Sequence, residues 1–234
     1  MSDPGATRSP AASPVHPGAL RAVLFDMDGV IVDTEPLHEA ALIGLYAARG
    51  WPVADPKFFA FKGRVPPDVF GEIAATFGGD AGLHAADKHV LFEALFEAHA
   101  ALVPGARAFV ESVRARGLAA ALVTSARRSE QARVFERFAL GGLFAKVVAA
   151  EDVTRAKPDP EPYLAGAARL GVPPGACLVV EDSVHGVASG VAAGCTVAGY
   201  TGTFPADALR AAGAHVTFGA FDDLAAWLWP GDPT

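Results

Sequence analysis

Residue types that could do chemistry follow four short apolar runs in this sequence, at the points where the apolar character stops. Two carboxylates follow the first run, and two hydroxyls follow the second. A lysine lies in the loop after the third run, and two carboxylates follow the fourth. In chain order they are Asp26, Asp28, Thr124, Ser125, Lys157, Glu181 and Asp182. If the four runs are parallel strands, their carboxyl ends lie along one edge of a sheet, and ligands bind at that edge in open α/β sheets.

Four carboxylates gathered at one edge would repel one another strongly without a cation. A ligand set made only of oxygen atoms favours a hard ion. A site with few carboxylates and room for phosphate oxygens suits Mg²⁺. The pattern therefore predicts a magnesium site beside a place for a phosphoryl group.

The elements that must position these residues alternate along the second half of the chain. Apolar runs predict strands over 22–25, 118–123, 146–149 and 177–180, with weaker candidates over 196–199 and 215–218. Periodic apolar residues predict helices over 106–116, 129–138, 161–170, 184–193 and 221–229, with Ser129 as an N-cap. Near-continuous apolar strands between helices predict a parallel sheet covered on both faces, which is an α/β, Rossmann-like core.

The segment between the first and second strands differs from the rest. Three runs with helical apolar spacing lie between about Pro36 and Leu102, and Gly50 is placed to end the first. We therefore expect a small helical cap domain over 35–102, inserted after the first strand. The α/β core then consists of 19–34 and 103–234, and the Pro-, Ala- and Ser-rich residues 1–18 form a flexible tail.

Composition excludes several classes of protein. The chain has 234 residues, of which 51% are hydrophobic and 19% charged, so it is too apolar to be disordered. A net charge of −7 gives no general attraction to nucleic acid or to anionic membranes. Two cysteines make neither a disulfide framework nor a zinc quartet. With no secretory signal and no bilayer-length apolar stretch, we expect a cytoplasmic protein.

Four ordered motifs resemble those of the haloacid dehalogenase superfamily, and the resemblance covers roughly Leu20 to Trp229. A helical insert directly after the first motif is similar to the members that carry a small mobile helical cap. Asp-x-Asp-Gly alone is weak evidence, whereas the ordered set, each motif at or after a strand end, is specific. The motifs are Asp26-Met27-Asp28-Gly29-Val30, Val123-Thr124-Ser125, Lys157-Pro158 and Glu181-Asp182-Ser183.

The resemblance implies a phosphatase with a covalent intermediate. Asp26 would be the nucleophile that takes the phosphoryl group as an aspartyl-phosphate. Asp28 would protonate the leaving oxygen and then activate water. Members that cleave carbon–halogen or carbon–phosphorus bonds lack this second aspartate, so its presence favours a phosphate ester as substrate.

The other motif residues would bind the phosphoryl group and the metal. Thr124 and the adjacent Ser125 would bind phosphoryl oxygens, and Lys157 would offset the charge of the nucleophile and the phosphoryl group. By the same resemblance, Mg²⁺ would be held by Asp26, by the backbone carbonyl of Asp28, by Asp182 and by Glu181. Whether Glu181 touches the metal directly is left open.

Substrate identity is expected to depend on the cap. Asp33-Thr34-Glu35-Pro36-Leu37-His38 resembles the hinge and first cap helix of sugar-phosphate phosphatases and of β-phosphoglucomutase, so His38 is a candidate substrate contact. Lys62-Gly63-Arg64 resembles a cap loop facing the active site in both, which makes Arg64 a second candidate. The mutase has a substrate-binding arginine a few residues beyond that glycine, where this chain has Val65-Pro66-Pro67.

These residues favour a Mg²⁺-dependent phosphatase acting on a small phosphorylated metabolite such as a sugar or polyol phosphate. A β-phosphoglucomutase-type isomerase is the alternative, and a non-catalytic binding module is a third class. The partner expected is a small phosphate ester, with no nucleic acid and no membrane. We expect a monomer and leave a dimer open.

Overall fold

Six short strands form one parallel sheet in the computed structural model, which describes residues 19–52 and 68–231. Their spatial order is β3-β2-β1-β4-β5-β6, so the first strand lies near the middle. This arrangement confirms the predicted parallel α/β fold. The strands are β1 (Ala22–Phe25), β2 (Ala119–Val123), β3 (Lys146–Val148), β4 (Cys177–Glu181), β5 (Thr196–Tyr200) and β6 (Val216–Phe218).

The register of the central strands brings their carboxyl ends level. Phe25, the last residue of β1, is paired with Leu122 on one side and with Val180 on the other. The backbone N–H of Asp26 then donates to the carbonyl of Val180 at 3.0 Å. The residues that follow these strands are therefore held at one height along the sheet edge, as the sequence predicts.

Helices cover both faces of the sheet because alternate strand residues point in opposite directions. Phe25 packs on one face in a buried cluster that includes Phe109 and Phe221, while Leu24 packs on the other with Tyr163. Six helices follow in the second half of the chain: α4 (Ala106–Ala115), α5 (Arg128–Arg137), α6 (Glu161–Leu170), α7 (Val184–Ala192), α8 (Ala206–Ala211) and α9 (Phe221–Leu228).

Three further helices lie between β1 and β2 in the chain. They are α1 (Glu35–Arg49), α2 (Asp68–Phe77) and α3 (Ala81–His99). A separate apolar cluster joins them, with Tyr46 and Ile73 fully buried in it. Gly50 ends α1 in the left-handed conformation at φ 68°, as its position in the sequence predicts. The proposed flexible tail 1–18 lies outside the described residues.

Two chain segments connect these helices to the sheet, and they pair with each other. Val32 and Leu102 form an antiparallel bridge. The N–H of Asp33 donates to the carbonyl of Ala101 at 2.9 Å, and the N–H of Val103 donates to the carbonyl of Ile31 at 3.0 Å. The two connections therefore form a short two-stranded ribbon.

Two local predictions differ from the structure. Ser129 is not an N-cap, because α5 begins at Arg128 and the carboxylate of Glu130 accepts from the backbone N–H of Arg127 at 2.8 Å. The six-residue helix α8 was not expected, since so short a helix shows little apolar periodicity. Among residues 19–52 and 68–231, no helix combines the length and apolar character needed to cross a bilayer.

Candidate active site

A buried lysine is at the centre of the site. The Nζ atom of Lys157 donates to Asp26 Oδ1 at 2.6 Å, to Glu181 Oε1 at 2.8 Å and to the carbonyl of Val123 at 3.0 Å. These partners come from the ends of β1, β4 and β2. The Lys157 side chain is 7% exposed. The ammonium therefore has its three hydrogen-bond partners within the protein, and the predicted convergence of the first, third and fourth motifs is observed.

Glu181 is completely buried and both of its carboxylate oxygens accept hydrogen bonds. Oε1 accepts from Lys157 and, at 2.8 Å, from the hydroxyl of Tyr163. Oε2 accepts from the N–H of Asp182 at 3.1 Å and from the N–H and hydroxyl of Ser183 at 3.1 and 3.0 Å. This carboxylate is therefore fixed in position by five donors.

The three charges of this group influence one another. Burial raises the pKa of Asp26 to about 7, against the opposing effect of Lys157. Burial also acts to raise the pKa of Glu181, but Lys157 and the other donors outweigh it and the net direction is downward. For Lys157, burial lowers the pKa, yet the two carboxylates overcome burial and raise it. Lys157 and Glu181 are therefore a charged pair, and Asp26 shares the same ammonium but keeps a raised pKa because it is buried.

The donor set beside Lys157 fits a hard divalent cation. Asp26, Glu181 and Asp182 are buried and each offers a carboxylate oxygen, with these atoms within 4.8 Å of one another. Burial and the neighbouring carboxylates Glu181 and Asp26 raise the pKa of Asp182 well above its usual range. A cation favours the ionised form of carboxylates beside it. Oxygen atoms alone, at this spacing, match the preference of Mg²⁺.

Asp28, the fourth predicted metal residue, is outside this carboxylate group and its side chain faces the connection to α1. Its Oδ1 accepts from the hydroxyl of Thr34 at 2.9 Å, and Thr34 directly precedes α1. Burial raises the pKa of Asp28, and the hydrogen bond from Thr34 opposes that shift. A carboxyl group with a raised pKa is suited to donate a proton at neutral pH.

The second motif forms the end of β2. Thr124 is 3% exposed, and its hydroxyl oxygen accepts from the N–H of Ala126 at 3.0 Å. This bond fixes the oxygen and leaves the hydroxyl proton to be donated elsewhere. Ser125 is exposed beside it. Both residues lie at the same sheet edge as Asp26.

The cap residue His38 is part of a group that the sequence analysis did not identify. Its ring stacks on Phe92 with centroids 4.1 Å apart, and its Nδ1 lies 2.5 Å from Nζ of Lys88. Burial lowers the pKa of Lys88 to about 8, opposed by the carboxylates of Glu35 and Asp28. The Lys88 ammonium is therefore influenced by carboxylates of both α1 and the loop after β1.

Burial beside Lys88 lowers the pKa of His38 to about 3, so His38 is neutral and its ring nitrogen accepts from Lys88. Arg64, the other cap residue predicted to contact substrate, lies outside the described residues. Lys88 had one sequence signal, because it is four residues before Phe92 and such spacing puts both on one helix face. Thr34 was identified only as part of the hinge resemblance, and Tyr163 had no sequence signal, since it is recognisable only by its partner.

Comparisons with known proteins agree with this geometry. A family model described as haloacid dehalogenase-like hydrolase matches residues 20–194. Hexitol phosphatase A of Escherichia coli (strain K12) is 36% identical over 187 residues, covering 76% of this chain and 81% of that protein. A phosphorylated carbohydrates phosphatase of Thermotoga maritima is 33% identical, over 75% of this chain and 82% of its own length.

A solved structure described as a putative β-phosphoglucomutase from Thermotoga maritima is similar in fold, with a TM-score of 0.76 and 28% sequence identity. The match covers 89% of this chain and 98% of that one. The family model alone spans most of the chain, and its residues include all four motifs. The resemblance predicted from the sequence is confirmed, and the chain belongs to the haloacid dehalogenase-like hydrolase family.

Proposed function

We propose that this protein is a Mg²⁺-dependent phosphatase that hydrolyses a small phosphorylated metabolite, such as a sugar or polyol phosphate, through an aspartyl-phosphate. The observation that carries the proposal is the buried group in which Lys157 donates to Asp26 and Glu181 beside Asp182. Phosphoryl transfer depends mainly on positioning and on neutralising charge, and this group supplies both.

In the first proposed step, a carboxylate oxygen of Asp26 attacks phosphorus and the bond from phosphorus to the leaving oxygen breaks. Asp28 gives its proton to that leaving oxygen. In the second step, Asp28 takes a proton from water as the water oxygen bonds to phosphorus. The bond between phosphorus and Asp26 then breaks, and inorganic phosphate is released with Asp26 again a carboxylate and Asp28 again protonated.

Charge compensation follows from the hydrogen bonds around Lys157. Its ammonium stays protonated beside Asp26 and Glu181 and so offsets the charge of the phosphoryl group. Mg²⁺, held by Asp26 and Asp182, would neutralise the charge that develops on the phosphoryl oxygens. Glu181 is better suited to hold Lys157 in place than to bind the metal, because its oxygens already accept five hydrogen bonds.

The remaining roles concern substrate binding. The hydroxyl of Thr124 would donate to a phosphoryl oxygen, with Ser125 beside it. Lys88, presented by His38 and Phe92, would meet a polar group of the substrate from the side of α3. A hydroxyl-rich leaving group agrees with the carbohydrate substrates named for two of the relatives.

We further propose that residues 35–102 act as a cap over a core of 19–34 and 103–234. Hinge closure at Asp33–Pro36 and 102–105 would admit substrate and then exclude bulk water. The bond from Thr34 to Asp28 supports this, because it joins the hinge to the proposed general acid. Proline substitutions in the hinge should slow kcat, and an unchanged kcat would argue against gating.

The test is inorganic phosphate release from a panel of phosphorylated metabolites, with and without Mg²⁺. We expect Mg²⁺-dependent release from a sugar or polyol phosphate. Asp26→Asn should lower that rate by more than about 10³-fold. Asp222→Asn is a matched control, because Asp222 is an exposed aspartate at the start of α9. Turnover by Asp26→Asn at the wild-type rate would contradict the proposed nucleophile.

A phosphohexose mutase remains the second candidate, favoured by the fold similarity to the putative β-phosphoglucomutase. The two activities share an aspartyl-phosphate and differ in whether water or a sugar hydroxyl takes the phosphoryl group. The same panel separates them if β-glucose 1-phosphate is included. Glucose 6-phosphate formed with little free phosphate would identify a mutase.

A further inference from the structure

The loop after a fifth strand, β5, also reaches the site. The residue that this loop contributes is not part of any of the four motifs. Thr203 lies in the loop after β5 and its hydroxyl donates to Oδ2 of Asp182. Asp182 is 3% exposed, whereas Thr203 is half-buried. The loop after β5 thus contacts the carboxylate at the end of the neighbouring strand β4.

The backbone at Gly29 also lies against the same oxygen. A Cβ atom built on Gly29 would lie 1.9 Å from Oδ2 of Asp182 and 3.1 Å from the Thr203 hydroxyl oxygen. Only a residue without a side chain allows the β1 loop to approach this carboxylate so closely. The Asp182 carboxylate is therefore enclosed between the backbone at Gly29 and the hydroxyl of Thr203.

The loop that carries Thr203 is itself anchored to the sheet. The N–H and the hydroxyl of Thr201 both donate to the carbonyl of Phe218, at 2.9 and 3.1 Å. The Tyr200 ring packs on Phe218 and lies so close to Gly202 that a Cβ there would come within 2.4 Å of it. The position of the Thr203 hydroxyl is thus set by β5 and β6.

We propose that Thr203 is a positioning residue that orients the Asp182 carboxylate for Mg²⁺. This rests on the proposed function, because it assumes that Asp182 binds the metal. An aspartate side chain rotates about two bonds, and a hydroxyl donor to Oδ2 fixes the plane in which the other oxygen is presented. Partners of this kind contribute roughly 10- to 100-fold to metal affinity.

A simpler role for Thr203 is a contact that merely satisfies a buried carboxylate. The two roles differ in what the loss of the hydroxyl does. If the contact is only structural, loss of the hydroxyl changes the free energy of unfolding by the same amount with and without Mg²⁺. A positioning contact changes the added stability that Mg²⁺ confers, since a ligand stabilises the folded state by RT ln(1 + [L]/Kd).

The test compares Thr203→Val, which keeps the shape and removes the hydroxyl, with Thr203→Ser, which keeps the hydroxyl. Thr217→Val is the matched control, because Thr217 is also half-buried and its hydroxyl oxygen accepts from Arg210 instead. The measurement is the midpoint of thermal unfolding over a series of Mg²⁺ concentrations, without substrate.

We expect Thr203→Val to raise the Kd for Mg²⁺ by about 10- to 100-fold. Thr203→Ser and Thr217→Val should stay near the wild-type value. A Thr203→Val protein that binds Mg²⁺ like the wild type would overturn this role while leaving the phosphatase proposal intact. Absence of Mg²⁺ stabilisation in the wild type itself would instead contradict the metal site of the proposed function, and the role of Thr203 with it.

Discussion

The Nζ atom of Lys157 lies 2.6 Å from the carboxylate of Asp26, although 131 residues separate them in the chain. This contact exists because β1 and the loop after β3 reach the same edge of a parallel sheet. It joins a side chain that can attack phosphorus to one that can offset the resulting charge. Four predictions follow from this contact and its surroundings.

Removing the buried ammonium should destabilise the fold as well as the activity. Lys157→Met leaves the carboxylates of Asp26 and Glu181 buried without their cation. Breaking a buried ion pair from one side costs about 3–5 kcal/mol. Chemical denaturation measures this cost, and the exposed Lys146 provides the control Lys146→Met. Equal stability of the two variants would show that Lys157 does not carry the charge balance of the site.

Tyr163→Phe should remove one of the hydrogen bonds that fix the Glu181 carboxylate and leave its other donors in place. The hydroxyl of Tyr163 donates to Oε1, the oxygen that also accepts from Lys157. We expect a loss of about 1–2 kcal/mol in the free energy of unfolding. A double-mutant cycle with Glu181→Gln should give a coupling energy of at least about 0.5 kcal/mol. Strict additivity would mean that the two side chains do not interact in solution.

Gly29→Ala should disrupt the site more than the left-handed backbone conformation of Gly29 alone would explain. Gly29 and Gly117 have the same φ, 75°, but only at Gly29 does an added Cβ meet a neighbouring side chain, that of Asp182. Gly117→Ala should cost about 1–2 kcal/mol from the left-handed conformation alone. Gly29→Ala should cost more and should abolish the stabilisation by Mg²⁺. Similar denaturation curves and Mg²⁺ responses for the two variants would contradict the close approach.

Substrate binding should weaken as pH rises through about 8, the pKa of Lys88. Below this pH the Lys88 ammonium is charged. Above it the Lys88 side chain is neutral and no longer offers a positive charge to the substrate. A hydrogen bond to a charged group contributes about 1.5–3 kcal/mol, so kcat/KM should fall roughly 10- to 100-fold. The measurement is a profile of kcat/KM from pH 6.5 to 9.5 with a sugar phosphate.

Lys88→Arg is the control for that profile, because arginine keeps its charge over the whole range. In this variant the part of the alkaline decline caused by Lys88 should disappear. Lys88→Gln should be slow at all these pH values. A wild-type decline that persists unchanged in both variants would remove Lys88 from substrate binding.

The parts of the fold predicted well from sequence are those that depend on local apolar pattern. β1 and the helix Glu161–Leu170 have the predicted ends, because acidic residues follow the strand at once and Gly171, in the left-handed conformation, ends the helix. Ser129 was wrong as an N-cap because the capping carboxylate of Glu130 lies inside the helix and bonds backward to Arg127. Helix boundaries depend on such individual contacts, and periodicity does not describe them.

The residues of the candidate site likewise divide into those that the sequence pattern predicts and those that it does not. The motif residues were identified because each stands at a strand end or in the loop after one, and a parallel sheet brings strand ends together. Tyr163 and Thr203 were not identified, because their positions have no polar pattern and their partners are distant in sequence. Tyr163 in particular follows the apolar face of its helix, so its sequence context indicates only core packing.

The paired connections at Val32 and Leu102 have a mechanical consequence for the protein. A single connecting strand allows twisting about its own axis, but a two-stranded ribbon held by backbone hydrogen bonds resists twisting and sliding. It bends easily only out of its own plane. The hinge closure proposed above would therefore move helices α1–α3 along one arc and return Lys88 to the same position at each closure.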